Sequence, residues 1–135
     1  MYQDSYREDN VYKKYRGLNI DNCLVAGLGE LELIPKWIKK EYPECKVTVV
    51  EVDRKKTTTL DYEIIYESIF DFIPQIKYDI IILDIWYAGT PGYRKEIEVL
   101  KSKYYHYLKE DGIMSFPMID MHTTYSYVEL QKQYN

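Results

Sequence analysis

Apolar positions fall into two kinds of stretch, short unbroken runs and longer segments in which they recur every three or four residues. The first run, Cys23–Ala26, meets the turn Gly27-Leu28-Gly29. Behind it, Glu30–Glu41 carries Leu31, Ile34, Trp37 and Ile38 at helical spacing, with Lys36, Lys39 and Lys40 toward solvent. Pro35 fits the first turn of such a helix, and Tyr42-Pro43-Glu44 stops it. A β-branched run, Lys46–Glu51, predicts a second strand and Tyr62–Tyr66 a third; between them Arg54–Leu60 is a short connection with one or two helical turns at most. Ser68–Ile73 reads as a short helix or turn closed by Pro74. Tyr78–Leu83 is the fourth strand, Tyr93–Leu108 a long helix burying Ile97, Leu100, Tyr104 and Leu108, and Lys109–Gly112 a turn into the fifth strand, Ile113–Phe116. At the ends, Tyr2, Tyr6, Val11, Tyr12 and Tyr15 suit one face of an N-terminal helix stopped by Gly17 and Asn19, and a last helix begins near Thr124.

The unbroken run Ile80-Ile81-Ile82-Leu83 implies a strand buried on both faces, hence a parallel sheet covered by helices. Alternating strands and helices then give a doubly wound, Rossmann-like α/β/α domain with a mostly parallel five-stranded sheet in the order 3-2-1-4-5, without strands six and seven. The whole of 1–135 is one domain: a helical segment 1–22, the sheet core 23–117 and a C-terminal segment 118–135. The outer edge of strand five needs a cover, either the C-terminal segment or a second copy of the chain as a homo-oligomer.

Composition narrows the function more than the fold. No apolar run approaches the ~18 residues of a membrane span, and the start has no charged-then-apolar leader layout, so a cytoplasmic protein is expected. The formal net charge of −4 does not support a general attraction to nucleic acid. The 16 tyrosines accompany abundant Ile and Lys, a compositional bias more than a stacking surface. Cys23 and Cys45 lack the spacing of a zinc site and are expected reduced; no metal is expected.

Candidate chemistry collects at the carboxyl ends of the strands. Gly27 and Gly29 permit a sharp turn and close approach of backbone to a ligand, just ahead of a helix N-terminus. Glu51, with Asp53 behind it, ends strand two roughly 20 residues beyond Gly29, the distance at which an acid reaches ribose hydroxyls. Glu67 follows strand three and Asp84 ends strand four, on the same edge. Each acid alone is ordinarily a solvated charge; the three with the glycine turn describe one nucleotide-type site.

In that arrangement the chain resembles the class I S-adenosylmethionine-dependent methyltransferases, most of all the spermidine-synthase-like branch. The resemblance is carried by Leu24-Val25-Ala26-Gly27-Leu28-Gly29-Glu30, Val49-Val50-Glu51-Val52-Asp53, Glu67-Ser68-Ile69, Tyr78-Asp79-Ile80-Ile81-Ile82-Leu83-Asp84 and Leu108-Lys109-Glu110-Asp111-Gly112-Ile113. It implies S-adenosylmethionine as cofactor, with Gly27 and Gly29 along its methionine part and Glu51 at its ribose; Glu30, Val52 and Asp53, next to these, also count as cofactor-binding. Ser68 and Ile69 would flank adenine, with Glu67 before them also among the cofactor-binding residues, and Asp84, likewise cofactor-binding, would face the reacting centre. NAD suits the chain less, since its glycine pattern would need glycine where Glu32 stands.

Departures from the family pattern are Leu31 at the third glycine-loop position, Ser68 in place of an acid after strand three, and Ile85-Trp86-Tyr87 where aminopropyl transferases carry a second acid. Asp84-Ile85-Trp86-Tyr87 resembles, at its two ends, the Asp-Pro-Pro-Tyr loop of amino-methyltransferases, which would make Asp84 and Tyr87 the catalytic pair. Methyl transfer from a sulfonium needs alignment and exclusion of water more than acid–base machinery, so the lack of a catalytic His or Cys is no objection. Asp120 and His122 follow strand five within reach of the site or on a surface loop; His106 lies within the long helix. The expectation is a methyltransferase-type enzyme of unknown acceptor. The alternatives are a binding module that keeps the fold without catalysis, and another reaction on the same cofactor such as aminopropyl transfer or cleavage.

Overall fold

The computed structural model describes residues 20–29, 32–58, 60–85, 92–116 and 123–134. The expected N-terminal helix with Tyr2, Tyr6, Val11, Tyr12 and Tyr15, the positions Glu30, Leu31, Trp86 and Tyr87, and the pair Asp120 and His122 lie outside the described residues.

The strands are β1 Asn22–Ala26, β2 Lys46–Val50, β3 Glu63–Ile65, β4 Tyr78–Leu83, β5 Leu108–Phe116 and β6 Thr123–Ser126; the helices are α1 Leu33–Glu41, α2 Tyr93–Tyr104 and α3 Tyr127–Tyr134. They form one sheet in the order β3-β2-β1-β4-β5-β6, parallel throughout except for β6, which runs antiparallel to β5. The doubly wound α/β sheet with the order 3-2-1-4-5 is thus present, with one strand more than the five expected. Thr123–Ser126 is short and polar and sits directly against a helix start, so its pattern gave no period-2 signal. Ser126 caps α3 in a reciprocal box: its Oγ accepts from the Glu129 N–H (3.1 Å) and the Glu129 Oε1 accepts from the Ser126 N–H (3.1 Å). Because β6 occupies the outer side of β5, the C-terminal segment, one of the two covers expected for the strand-five edge, is the one that lies against it.

Alternation along the central strands divides the core in two. Leu24, Ala26, Ile81, Leu83, Met114 and Phe116 face α2 and α3 through Ile97, Leu100, Tyr104 and Leu130. Cys23, Val25, Val47, Val49, Ile80, Ile82 and Ile113 face α1 through Ile34, Trp37 and Ile38. Cys23 and Cys45 are free and buried; burial pushes the Cys45 thiol up to about 12, with nearby Asp79 adding to the shift, and raises Cys23 well above its ordinary value, so both thiols stay protonated. Among the described residues, no helix is long and apolar enough to cross a membrane.

The long helix expected to reach Leu108 ends at Tyr104 and passes through a 3-10 turn, Tyr105–Tyr107, into β5, and two further boundaries differ from expectation for local reasons. Helix α1 starts at Leu33, three residues late, because Glu32 adopts a left-handed conformation (φ 52°) that a helix cannot continue through. Strand β5 starts at Leu108, and the expected turn Lys109–Gly112 is instead an irregularity in the ladder opposite Tyr78 and Ile80. A Cβ at Gly112 would stand 3.0 Å from the Lys109 carbonyl oxygen and 3.1 Å from that of Asp79, so the two strands approach there only because the side chain is absent.

The amino edge of the sheet is held by Asp79. Its Oδ2 accepts from the Asp21 N–H (2.9 Å), the Asn22 N–H (3.0 Å) and the Lys109 Nζ (3.1 Å), joining β1, β4 and β5. Asp79→Ala leaves two backbone donors without their acceptor and is expected to cost about 1–3 kcal/mol. A lowered urea midpoint at unchanged slope checks this; an unchanged midpoint would show that water replaces the carboxylate at no cost.

Candidate functional site

The carboxyl edge carries the residues singled out from the sequence, contributed by neighbouring strands. After β1 the chain turns through Gly27 (φ 89°) and Gly29 (φ 74°), a backbone course that side chains resist. The Gly27 N–H donates to the Val50 carbonyl at 2.8 Å, which fastens the start of this loop to the end of β2. A Cβ on Gly27 would lie 3.2 Å from the backbone oxygen of Asp84, whereas one on Gly29 would meet no described residue within 4 Å. The first glycine therefore serves contact between β1 and β4, and the second borders space open among the described residues.

Glu51 stands where β2 ends and is only 5% exposed. Its own N–H donates to the Ile65 carbonyl (2.9 Å), prolonging the β2–β3 ladder by one step. Its carboxylate binds in two directions: Oε1 accepts from the Leu28 N–H of the glycine loop (2.9 Å) and Oε2 from the Asp53 N–H (2.8 Å). A carboxylate offers about four acceptor positions, so each oxygen keeps one lone pair beyond these bonds. Glu51 thus organises the loop and the turn on either side of it, a role that spacing alone did not reveal. Behind it, Val52 is 75% exposed and presents an apolar surface at the rim, while the exposed Asp53 accepts from the Lys55 N–H at 3.0 Å. The next turn is drawn in by Tyr66, whose hydroxyl donates to the Lys56 carbonyl and whose ring lies 5.8 Å from the Arg54 guanidinium.

Beyond β3, Glu67 is exposed and Ser68 half-buried. Ser68 builds a turn: its carbonyl accepts from the Asp71 (3.0 Å) and Phe72 (2.9 Å) amides and its Oγ from the Phe70 amide (3.2 Å). The Ile69 side chain lies in the core beside Phe72 and Leu83, so Ile69 offers this edge backbone atoms. Asp84, just past β4, is half-buried, with its backbone against Gly27. Gly27, Gly29, Glu51, Val52, Asp53, Glu67, Ser68 and Asp84 therefore all stand at the ends of β1, β2, β3 and β4, strands adjacent in the sheet. Glu30 and Tyr87 lie outside the described residues.

A cavity of about 530 Å³ opens elsewhere, at the amino end of β2, lined by Lys39, Cys45, Lys46, Val47, Asp61 and Tyr62 among others. It includes none of the residues above, and ligands of doubly wound sheets take the carboxyl edge, where the strand order reverses between β1 and β4. Sequence reasoning missed Tyr66, Lys103 and Tyr104, which contact the edge from behind. The one available signal was Tyr104 on a buried stripe, since a buried phenol needs a hydrogen-bond partner.

No protein-family model matches the chain, and neither does any curated protein. Solved structures do. The plantazolicin methyltransferase BpumL in complex with SAH and a pentazolic desmethylPZN analogue superposes with a TM-score of 0.65 at 16% identity, over 85% of this chain and 45% of that one. DesVI of Streptomyces venezuelae gives 0.63 at 12% identity, over 84% and 50%. Coclaurine N-methyltransferase bound to N-methylheliamine and SAH gives 0.61 at 18% identity, over 84% and 35%. The structure neighbours are class I methyltransferases, and at these identities the likeness is one of fold. The chain spans half the length of these neighbours or less.

Proposed function

We propose that this chain forms the cofactor-binding sheet of an S-adenosylmethionine-dependent methyltransferase. The observation that carries the reading is Glu51, a carboxylate at the end of β2 that grips the glycine loop through the Leu28 N–H and keeps acceptor positions beside it. A ribose diol asks for such a group, two acceptors held rigidly against a loop that lets the backbone come close. The space over Gly29, open among the described residues, suits the same ligand, because a side chain there would fill the approach. Structure neighbours solved with SAH support the choice of cofactor.

In this reading Gly27, Gly29 and Glu30 border the methionine part, Glu51 takes the ribose hydroxyls with Asp53 beside it, and Val52 covers one face of the adenine. The Ser68–Ile69 backbone, with Glu67 preceding it, lies along the adenine edge. S-adenosylmethionine supplies an electrophilic methyl group on sulfur, so the protein's work is to align an acceptor and exclude water. Asp84 orients the acceptor by accepting its hydrogen bond, and Tyr87 covers it; both suit an amine better than a carbon acid. The spermidine-synthase-like affinity rests on the sequence segments Leu24–Glu30, Val49–Asp53, Glu67–Ile69, Tyr78–Asp84 and Leu108–Ile113.

A second reading keeps the fold as a binding module. It is favoured by the 5% exposure of Glu51 and the two backbone amides already on its carboxylate, which would make it a purely structural brace. Incubating the protein with S-adenosylmethionine, alone and with small amines, separates the possibilities. S-adenosylhomocysteine released only with an amine present is the expected result; methylthioadenosine without any acceptor would mean cleavage instead of transfer, and unaltered cofactor throughout would favour the module.

A further inference from the structure

The turn Ser68–Phe72 is held from two sides. From within, Ser68 receives the amides of Phe70, Asp71 and Phe72. From behind, α2 takes up carbonyls that this arrangement leaves over: the fully buried Tyr104 places its hydroxyl 2.6 Å from the Ile69 oxygen and 3.4 Å from that of Phe72, and the half-buried Lys103 places its Nζ 2.8 Å from the Phe70 oxygen. A hydroxyl has one proton, so Tyr104 donates to Ile69, its closer partner, and lies against Phe72. Burial raises the Tyr104 phenol above its ordinary value, which keeps that proton in place. Lys103 has Asp71 and Glu67 near it, and their charges oppose the lowering that its own burial causes. Two adjacent residues of one helix thus fix the carbonyls of Ile69 and Phe70 in a segment whose side chains cannot do so.

We propose that Tyr104 and Lys103 are positioning residues for the nucleobase edge of the cofactor site, setting the Ser68–Phe72 backbone at the height and tilt at which it meets a purine. The proposal rests on the cofactor reading above and adds what holds its nucleobase side. A purine edge is recognised by backbone groups only if these are fixed within a fraction of an ångström, and the turn has no sheet partner of its own to fix it. Neither residue touches the ligand; both act through the turn. Discrimination between adenine and other bases is therefore set partly by a helix that lines no part of the site.

The test combines amide hydrogen exchange with titration of S-adenosylhomocysteine and of methylthioadenosine, which keeps the nucleoside and lacks the amino acid. Tyr104→Phe and Lys103→Met are expected to weaken both ligands about tenfold and to speed exchange at Phe70, Asp71 and Phe72, with α1 and β1 amides unchanged. Lys103→Arg, which retains a donor, is expected to restore wild-type values. A merely structural role would lower the melting temperature and speed exchange across α2 and β4 while the folded fraction bound normally, and that result overturns the proposal. If Tyr104→Phe does not fold, Lys103→Met decides, since Lys103 is half-buried and its loss opens no core cavity. Wild-type protein that binds neither ligand removes the cofactor reading and this proposal together; wild-type binding with both variants unchanged removes the proposal alone.

Discussion

Glu51→Ala is expected to weaken S-adenosylhomocysteine binding by at least about tenfold and to destabilise the fold by about 1–3 kcal/mol. Both effects come from the same two oxygens. Removing them strands the Leu28 and Asp53 amides in a place where Glu51 itself is only 5% exposed, and buried donors without acceptors cost their desolvation in full. It also removes the acceptors assigned to the ribose. Glu51→Gln divides the two contributions, because its single carbonyl oxygen can still receive the Leu28 amide while its NH₂ group cannot accept from Asp53. Titration and urea unfolding of both variants read the outcome. Full affinity in Glu51→Ala would sink the ribose assignment and leave Glu51 as a brace for the loop.

Gly27→Ala is the second large effect, and Gly29→Ala is its control. Both residues have positive φ, so each substitution carries a backbone strain of about 1–2 kcal/mol. Only at Gly27 does the new Cβ also meet backbone, the Asp84 oxygen at 3.2 Å, so β1 and β4 must part or Asp84 must move. Gly27→Ala is therefore expected to lower the melting temperature further than Gly29→Ala. Gly29→Ala, with no described residue near its Cβ, is expected to act on binding through the space it narrows. Equal losses of stability would mean that Asp84 yields freely to the added methyl.

Where the sequence reading succeeded, a single periodicity was enough. Tyr78–Leu83 matches the strand to the residue because an unbroken Ile-Ile-Ile-Leu run flanked by polar residues has one reading, and Pro35 sits in the first turn of α1 as its fixed φ requires. The failures lie where backbone geometry overrode composition. Glu32 takes a left-handed φ that nothing about glutamate announces, and Lys109-Glu110-Asp111-Gly112, a turn by content, is drawn into β5 because Gly112 lets it lie against Asp79. Thr123–Ser126 is a strand by pairing and not by pattern, since its ladder with Ile113–Phe116 depends on a neighbour distant in sequence.

The position of residues along the carboxyl edge divides in the same way. Gly27, Gly29, Glu51 and Asp84 could be named from order and spacing, because a doubly wound sheet brings every strand's carboxyl end to one edge. That Glu51 bonds the glycine loop, that Ile69 turns its side chain into the core, and that Tyr104 and Lys103 hold the turn behind it are facts of distance between segments some 20 to 35 residues apart. No local pattern encodes such distances.

The most direct measurement is a calorimetric titration of the purified protein with S-adenosylhomocysteine, with NAD as the comparison ligand. Saturable binding at roughly micromolar dissociation constant, about −8 kcal/mol, with none for NAD, is the expected result. Heat that never saturates with S-adenosylhomocysteine, from protein shown to be folded, would contradict it and leave a methyltransferase-like sheet that serves only as a binding module.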